Sequence, residues 1–176
     1  MGGERDINLG FVGRVKNKIY KPRQAFLQSM IDTKGALLFK TDPGDEYLQA
    51  LNRIKIFLSA DIGLLEYMAK NFEAMACGCV VLAKRQGGIE EESLGLKHME
   101  NVVLYDDYDD AKESLERLER DESLVARIQR QGLQFVQKKH TLGDRVTPFV
   151  CAIEPSVNQL SPAAEGSLFE RLKFWR

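Results

Sequence analysis

A chain of 176 residues, 44% hydrophobic and 29% charged, is long enough for one core that buries about 70% of the unfolded surface, but short for two full domains. Its 25 Lys and Arg nearly balance 26 Asp and Glu, giving a formal charge of -1, and no basic stripe runs along it, which sets nucleic acid aside as a main partner. No apolar run approaches the roughly 18 to 20 residues of a membrane span, and Met1-Gly2-Gly3-Glu4-Arg5-Asp6 lacks the apolar core of a secretion signal. The chain therefore reads as cytoplasmic, without a transmembrane segment, and as compatible with a peripheral place at the inner membrane face.

Short apolar runs alternate with helical patterns. Ile7 to Val12 is the first run, followed by a helical segment from Pro22 to Asp32 with proline near its first position. Ala36 to Phe39 is the second, and the turn Asp42-Pro43-Gly44 then opens a helix over Asp45 to Arg53. Ile54 to Leu58, Cys79 to Ala83 and Val102 to Leu104 complete the strand signals, with helices around Ala69 to Cys77 and Ile89 to Ser93 between them. Most of these runs lack strict polar alternation, as strands buried on both faces do. The pattern predicts an α/β class, a Rossmann-like open parallel sheet of about five strands with helices on both faces.

After Tyr105 a long helical region carries Leu115, Leu118, Leu124, Val125, Ile128, Phe135 and Val136 on one side, with Asp121 as the cap of a second helix. From Glu154 to Ser167 the composition turns to Pro, Ser, Ala, Asn and Gln, and Leu168 to Arg176 regains an amphipathic pattern. The predicted division is a nucleotide-binding domain over 7–153 and a linker with a short tail over 154–176. Cys77 and Cys79 flank a glycine, Cys151 is remote, and His98 and His140 are the chain's two imidazoles. No metal and no other cofactor is expected, and the thiols read as buried and free.

Chemistry shows most clearly in Asn71-Phe72-Glu73-Ala74-Met75-Ala76-Cys77-Gly78 and the strand after it. Asn71 is a residue type that caps helices, Glu73 would then fall in the first turn, and Gly78 stops the helix. In open parallel sheets ligands bind beyond the carboxyl ends of the strands, so residues that follow the apolar runs matter. Gly13-Arg14 with Lys16 and Lys18 follow the first run and suit a phosphate. After the third run, the long segment Ala60 to Met68 delivers a helix start near Ala69 and Lys70 whose free N–H groups attract anions. Lys84-Arg85-Gln86-Gly87-Gly88 is a flexible polar loop at the same edge. Each feature also has a plain reading: a turn at Gly13, a carboxylate complementing a helix dipole at Glu73, an ordinary loop at Gly87-Gly88. Neither Walker A nor G-x-G-x-x-G is present.

The run from Lys70 to Ala83, followed by Gly87-Gly88, resembles the signature of the carboxyl-terminal domain of GT-B glycosyltransferases, in the group 1 branch and closest to its spore-coat-maturation-like members; Phe11-Val12-Gly13-Arg14 resembles the turn that opens that domain, and His140-Thr141 with Arg145 its terminal helix. The resemblance covers about residues 7 to 150. It implies a nucleotide-diphosphate sugar as substrate, with the ribose on Glu73 and the diphosphate on Gly13, Arg14, Lys16 or Lys18 and the backbone of Met68, Ala69 and Lys70. Many relatives carry a Glu-x7-Glu pair; here Leu65 stands eight before Glu73, leaving Glu66 and Asn71 as candidate sugar contacts. It further implies an amino-terminal acceptor domain in cis or in trans, a metal-independent and retaining transfer, and a place in polysaccharide biosynthesis. No catalytic residue is named. The alternatives are a binding or scaffold module of the same fold without turnover, and another α/β nucleotide-binding protein.

Overall fold

The computed structural model describes residues 5–15, 21–60 and 66–160. Among them the elements run β1 (Ile7–Val12), α1 (Lys21–Lys34), β2 (Leu37–Phe39), α2 (Asp45–Arg53), β3 (Ile54–Leu58), α3 (Ala69–Ala76), β4 (Val80–Lys84), α4 (Glu90–Leu94), β5 (Val103–Tyr105), α5 (Tyr108–Arg120), α6 (Glu122–Lys139) and α7 (Leu142–Leu160). The chain falls into two units, one up to Val136 that holds the sheet and one from Gln137 that holds α7.

The five strands pair in the order β2-β1-β3-β4-β5, every pair parallel, as the unbroken apolar runs require. Ile7 faces Ile54, Leu9 faces Ile56, Phe57 faces Val81, and Leu82 faces Val103 across neighbouring strands. Alternate residues serve opposite faces. Leu9, Phe11, Ile56, Leu58, Val80, Leu82, Val103 and Tyr105 pack with Phe26, Leu27 and Met30 of α1 and with the apolar stripes of α5 and α6. Ile7, Val12, Phe57, Val81, Ala83 and Leu104 pack with Ala50 and Leu51 of α2 and with Ala74 and Met75 of α3. Asp107 and Asp121 begin α5 and α6 by accepting from the N–H groups of Asp110 and Leu124, both at 2.9 Å.

At the amino ends of β3 and β4 the guanidinium of Arg5 donates to the carbonyls of Leu51 (3.2 Å), Ile54 (2.5 Å) and Cys77. Cys77 and Cys79 lie beside it; burial raises both thiols, Cys79 to about 12, so neither is a thiolate at neutral pH. All three cysteines are free, and among the described residues no group of three or more His, Cys, Asp or Glu is placed to hold a metal ion. Beyond β5, His98 accepts from the Leu104 N–H at Nδ1 (3.1 Å), and Met99 donates its N–H to the Val102 carbonyl (2.8 Å) at a positive φ of 58°.

In the second unit Thr141 starts α7: its hydroxyl accepts from the Asp144 N–H (3.3 Å), and the Asp144 carboxylate accepts from the Thr141 N–H (3.1 Å). Arg145 reaches the His140 ring at 2.5 Å. The helix passes Pro148 and Pro155 and continues to Leu160. The first residues of the expected linker, from Glu154, are therefore helical; an interior proline removes one backbone hydrogen bond without ending the run. The rest, 161–176, lies outside the described residues. None of the described helices is long and apolar enough to cross a membrane.

Two outcomes follow from this packing. Leu82 is fully buried, so Leu82→Ala should cost about 2 to 5 kcal/mol in urea unfolding, whereas Leu48→Ala, at 49% exposure, should stay within about 0.5 kcal/mol. Burial, with Arg85 next in weight, holds the His98 pKa below its ordinary 6.5, and the Asp110 carboxylate opposes the shift. The unfolded chain thus takes up a proton near 6.5 before the folded one does. Stability is complete above that pH and falls as the pH drops through 6.5 and below. Thermal melts between about pH 8 and pH 5 should show this loss, and His98→Asn, which keeps an acceptor but does not titrate, should flatten it.

Candidate functional site

The strand order places a reversal between β1 and β3: the chain leaves β1 toward β2 on one side and returns past β1 to β3 on the other. Loops on either side of such a reversal diverge and leave a crevice beyond the carboxyl ends of the two strands. Gly13-Arg14 follows β1 there, and the entrance to α3 follows β3.

Lys70, the second residue of α3, crosses the crevice and donates from Nζ to the Val12 carbonyl at the end of β1 (2.9 Å). Gly13 makes this possible. A Cβ at that position would lie 2.6 Å from Lys70 Nζ and 3.1 Å from the Phe11 ring, and the backbone φ is +152°. The Gly13 N–H meanwhile donates to the Phe39 carbonyl at the end of β2 (2.9 Å).

One helical turn on, Glu73 shares a face with Lys70 and is exposed. Its Oε2 accepts from the Tyr47 hydroxyl of α2 at 2.6 Å, and the Lys70 ammonium sits 5.8 Å from the centroid of the Tyr47 ring. Burial first, and the Glu73 carboxylate next, raise the Tyr47 pKa above its ordinary value, so the phenol stays a donor. Gly13, Arg14, Lys70 and Glu73 line one cavity of about 440 Å³ together with Tyr47 and the loop from Lys40 to Gly44. That cavity presents three cations (Arg14, Lys40 and Lys70), two carboxylates (Asp42 and Glu73) and a phenol, a set that holds an anion beside a hydroxylated group.

Behind the crevice, Arg23 of α1 is buried at 4% exposure. Its Nε donates to the Ala60 carbonyl just after β3 (2.9 Å), its guanidinium reaches the Met68 sulfur (3.3 Å), and it lies 5.9 Å from the centroid of the Phe11 ring. A buried cation thereby fixes the chain that enters α3.

The structure distributes the remaining expected residues as follows. Met68, not Asn71, occupies the N-cap of α3, with no side-chain cap, and Glu73 is the fifth helical residue and not part of the first turn. The cap reading fails because Asn71 is buried, at 3% exposure, in the third helical position. Ala69 is exposed as the first helical residue, and Met68 and Asn71 line a small crevice of about 10 Å³ with Lys70 and Arg23. Glu66 is exposed and does not line the 440 Å³ cavity. Lys16, Lys18 and Leu65 lie outside the described residues.

The loop after β4 is more constrained than its composition suggests. Arg85 pairs with Glu91 (2.7 Å) and Asp106 (3.4 Å), and Tyr67 donates its hydroxyl to the same Glu91 (2.7 Å). The Gln86 N–H reaches the Tyr67 hydroxyl (3.4 Å), and the Tyr67 N–H reaches Glu90 (3.3 Å). Gly87 and Gly88 complete the turn into α4 at φ of 80° and 67°. Tyr47 and Arg23 were missed in the sequence. Tyr47 stands four before Leu51 and reads as one more residue of an apolar stripe, but Arg23 carried a signal: it shares the i, i+3, i+4, i+7 stripe of Phe26, Leu27 and Met30, where a charge must find a buried partner.

A model of the glycosyl transferase-like family matches residues 34–150. Among solved structures the chain is similar to the C-terminal domain of a glycosyl transferase group 1 family protein, LpcC, from Francisella tularensis, with a TM-score of 0.56, 15% identity, and 79% of this chain and 88% of that one covered. It is also similar to TarM, with a TM-score of 0.57, 12% identity, and 84% and 35% covered. Sucrose-phosphate synthase from Thermosynechococcus elongatus gives a TM-score of 0.59, 17% identity, and 89% and 39% covered. The chain thus spans nearly all of the first of these structures but well under half of the other two. No curated protein sequence matches the chain. The fold is that of the Rossmann-like carboxyl-terminal domain of group 1, GT-B glycosyltransferases.

The geometry at Gly13 gives its own outcome. Gly13→Ala must drive the Lys70 ammonium off the Val12 carbonyl, since the new methyl would stand 2.6 Å from it. Loss of a charged hydrogen bond together with backbone strain should lower unfolding free energy by about 1 to 3 kcal/mol. Gly35→Ala, also at positive φ (65°) but with no neighbour within 4 Å, carries the strain alone and should cost less in the same urea titration.

Proposed function

The chain belongs to the glycosyl transferase-like family, and from that premise we propose that it is the donor-binding half of an enzyme that moves a sugar from a nucleotide-diphosphate sugar to an acceptor. The observation that carries this reading is the meeting of Arg14, Lys70 and Glu73 on one cavity at the β1/β3 reversal. In this reading Glu73 accepts hydrogen bonds from the ribose hydroxyls. Arg14, with Lys16 or Lys18, faces the diphosphate, and the backbone N–H groups at Met68, Ala69 and Lys70 point at phosphate oxygens.

Departure of the sugar leaves negative charge growing on the diphosphate. Cations already held in place stabilise that charge more in the transition state than in the bound donor, which is the requirement for acceleration. Lys70 is such a cation: its bond to the Val12 carbonyl holds the ammonium at the crevice before a ligand arrives. We propose transfer without a metal ion and with retention of configuration, on an acceptor held by an amino-terminal domain supplied in cis or in trans, in polysaccharide biosynthesis in the cytoplasm. A module that binds the donor without turnover is the second reading, favoured by the place of Glu66 outside the cavity.

With one face open to water, affinity for UDP or GDP is set at about 0.1 to 1 mM. At about 10 mM ligand this stabilises the fold by roughly 1.4 to 2.7 kcal/mol, a rise of several degrees in melting temperature. Glu73→Ala should abolish the rise and the accompanying phosphorus NMR shifts. Unchanged melting and spectra with both nucleotides at millimolar concentration would overturn the donor-site reading, and turnover only with an added amino-terminal domain would set the enzyme apart from the binding module.

A further inference from the structure

We propose that Tyr47 is a positioning residue that presents Glu73 to the ribose, an inference that rests on the donor-site reading above. Glu73 projects from the exposed face of α3, where a free glutamate side chain would sample several rotamers. Here the Tyr47 hydroxyl, 2.6 Å from Oε2, holds the carboxylate in one of them. A carboxylate offers about four acceptor sites on its two oxygens, so one phenol on Oε2 leaves Oε1 and the remaining sites for a pair of neighbouring hydroxyls.

The phenol is itself well placed to serve as an anchor. Tyr47 rides on α2, whose buried Ala50 and Leu51 fix that helix against the sheet. The Lys70 ammonium lies 5.8 Å from the centre of its ring, and that ammonium is tied to the end of β1. Burial and the facing carboxylate keep the hydroxyl protonated, so the donor is present across the neutral range. Both residues line the same cavity, so the ordering of Glu73 occurs at the surface a ligand meets. A carboxylate ordered before the ligand arrives spares binding the rotamer entropy it would otherwise lose.

The test compares Tyr47→Phe with the wild-type chain, using UDP, GDP and their 2′,3′-dideoxy analogues, which lack the hydroxyls Glu73 would hold. The variant keeps the ring and its contact with Lys70, and its melting temperature reports whether the fold is intact. We expect Tyr47→Phe to weaken whichever ribonucleotide binds by roughly tenfold, with little change for the dideoxy analogue. If the wild type binds the ribonucleotide and Glu73→Ala abolishes that, yet Tyr47→Phe binds as well as wild type, the positioning role is overturned while the donor site stands. Equal losses on the ribonucleotide and its dideoxy analogue overturn it too, because they report a general structural effect. Absence of binding to either nucleotide by the wild type sinks the donor site itself, and this inference with it.

Discussion

One ammonium group, Lys70 Nζ on the Val12 carbonyl, joins the end of β1 to the first turn of α3 across the point where the sheet reverses direction. The ammonium sits there against a residue 13 that has no side chain, where a Cβ would lie 2.6 Å from it. Burial of Asn71, Ala74 and Met75 sets the rotation of α3 about its axis, and with it the direction of Glu73, one turn on from Lys70. Tyr47 reaches Glu73 from α2, and Arg23 reaches Met68 from α1. Helices from both faces of the sheet thus converge on a single short helix, and that helix carries the carboxylate of the cavity.

Much of the architecture was legible in the chain because strands buried on both faces leave unmistakable apolar runs. Ile7 to Val12 and Ile54 to Leu58 match β1 and β3 to the residue, and the turn Asp42-Pro43-Gly44 places the start of α2 at Asp45. The other three strands, β2, β4 and β5, drift by a residue at one or both ends, central β4 included, because the apolar run marks burial and the ladder sets the strand limits. Within the cavity, Gly13, Arg14, Lys70 and Glu73 could be found because each follows an apolar run at the same sheet edge. Tyr47 could not: its helical spacing describes a packing position, and nothing local reveals that the hydroxyl at its tip meets a carboxylate 26 residues away. Asn71 misled for the opposite reason, being a capping residue type in a place where burial, not capping, determines its role.

Membership of the glycosyl transferase-like family narrows the chemistry without specifying the ligand, since structures 12 to 17% identical share a backbone path and little of a binding surface. What this chain offers a ligand is local. Its β4–α4 loop commits Arg85 to Glu91 and Asp106, so that cation is spent on holding α4 near Tyr67, and the positive charge facing the cavity comes from Arg14, Lys40 and Lys70. Electrostatics in the crevice therefore draws on residues from both sides of the reversal, with Lys70 held by the Val12 carbonyl.

The guanidinium of Arg5 gathers carbonyls from α2, β3 and the turn after α3 at the far rim of the sheet, away from the crevice. Three separate stretches of chain are locked there by a single side chain. Descendants of this sequence are consequently free to rewrite the loops at one rim, acquiring new specificities, while the opposite rim preserves the scaffold's alignment.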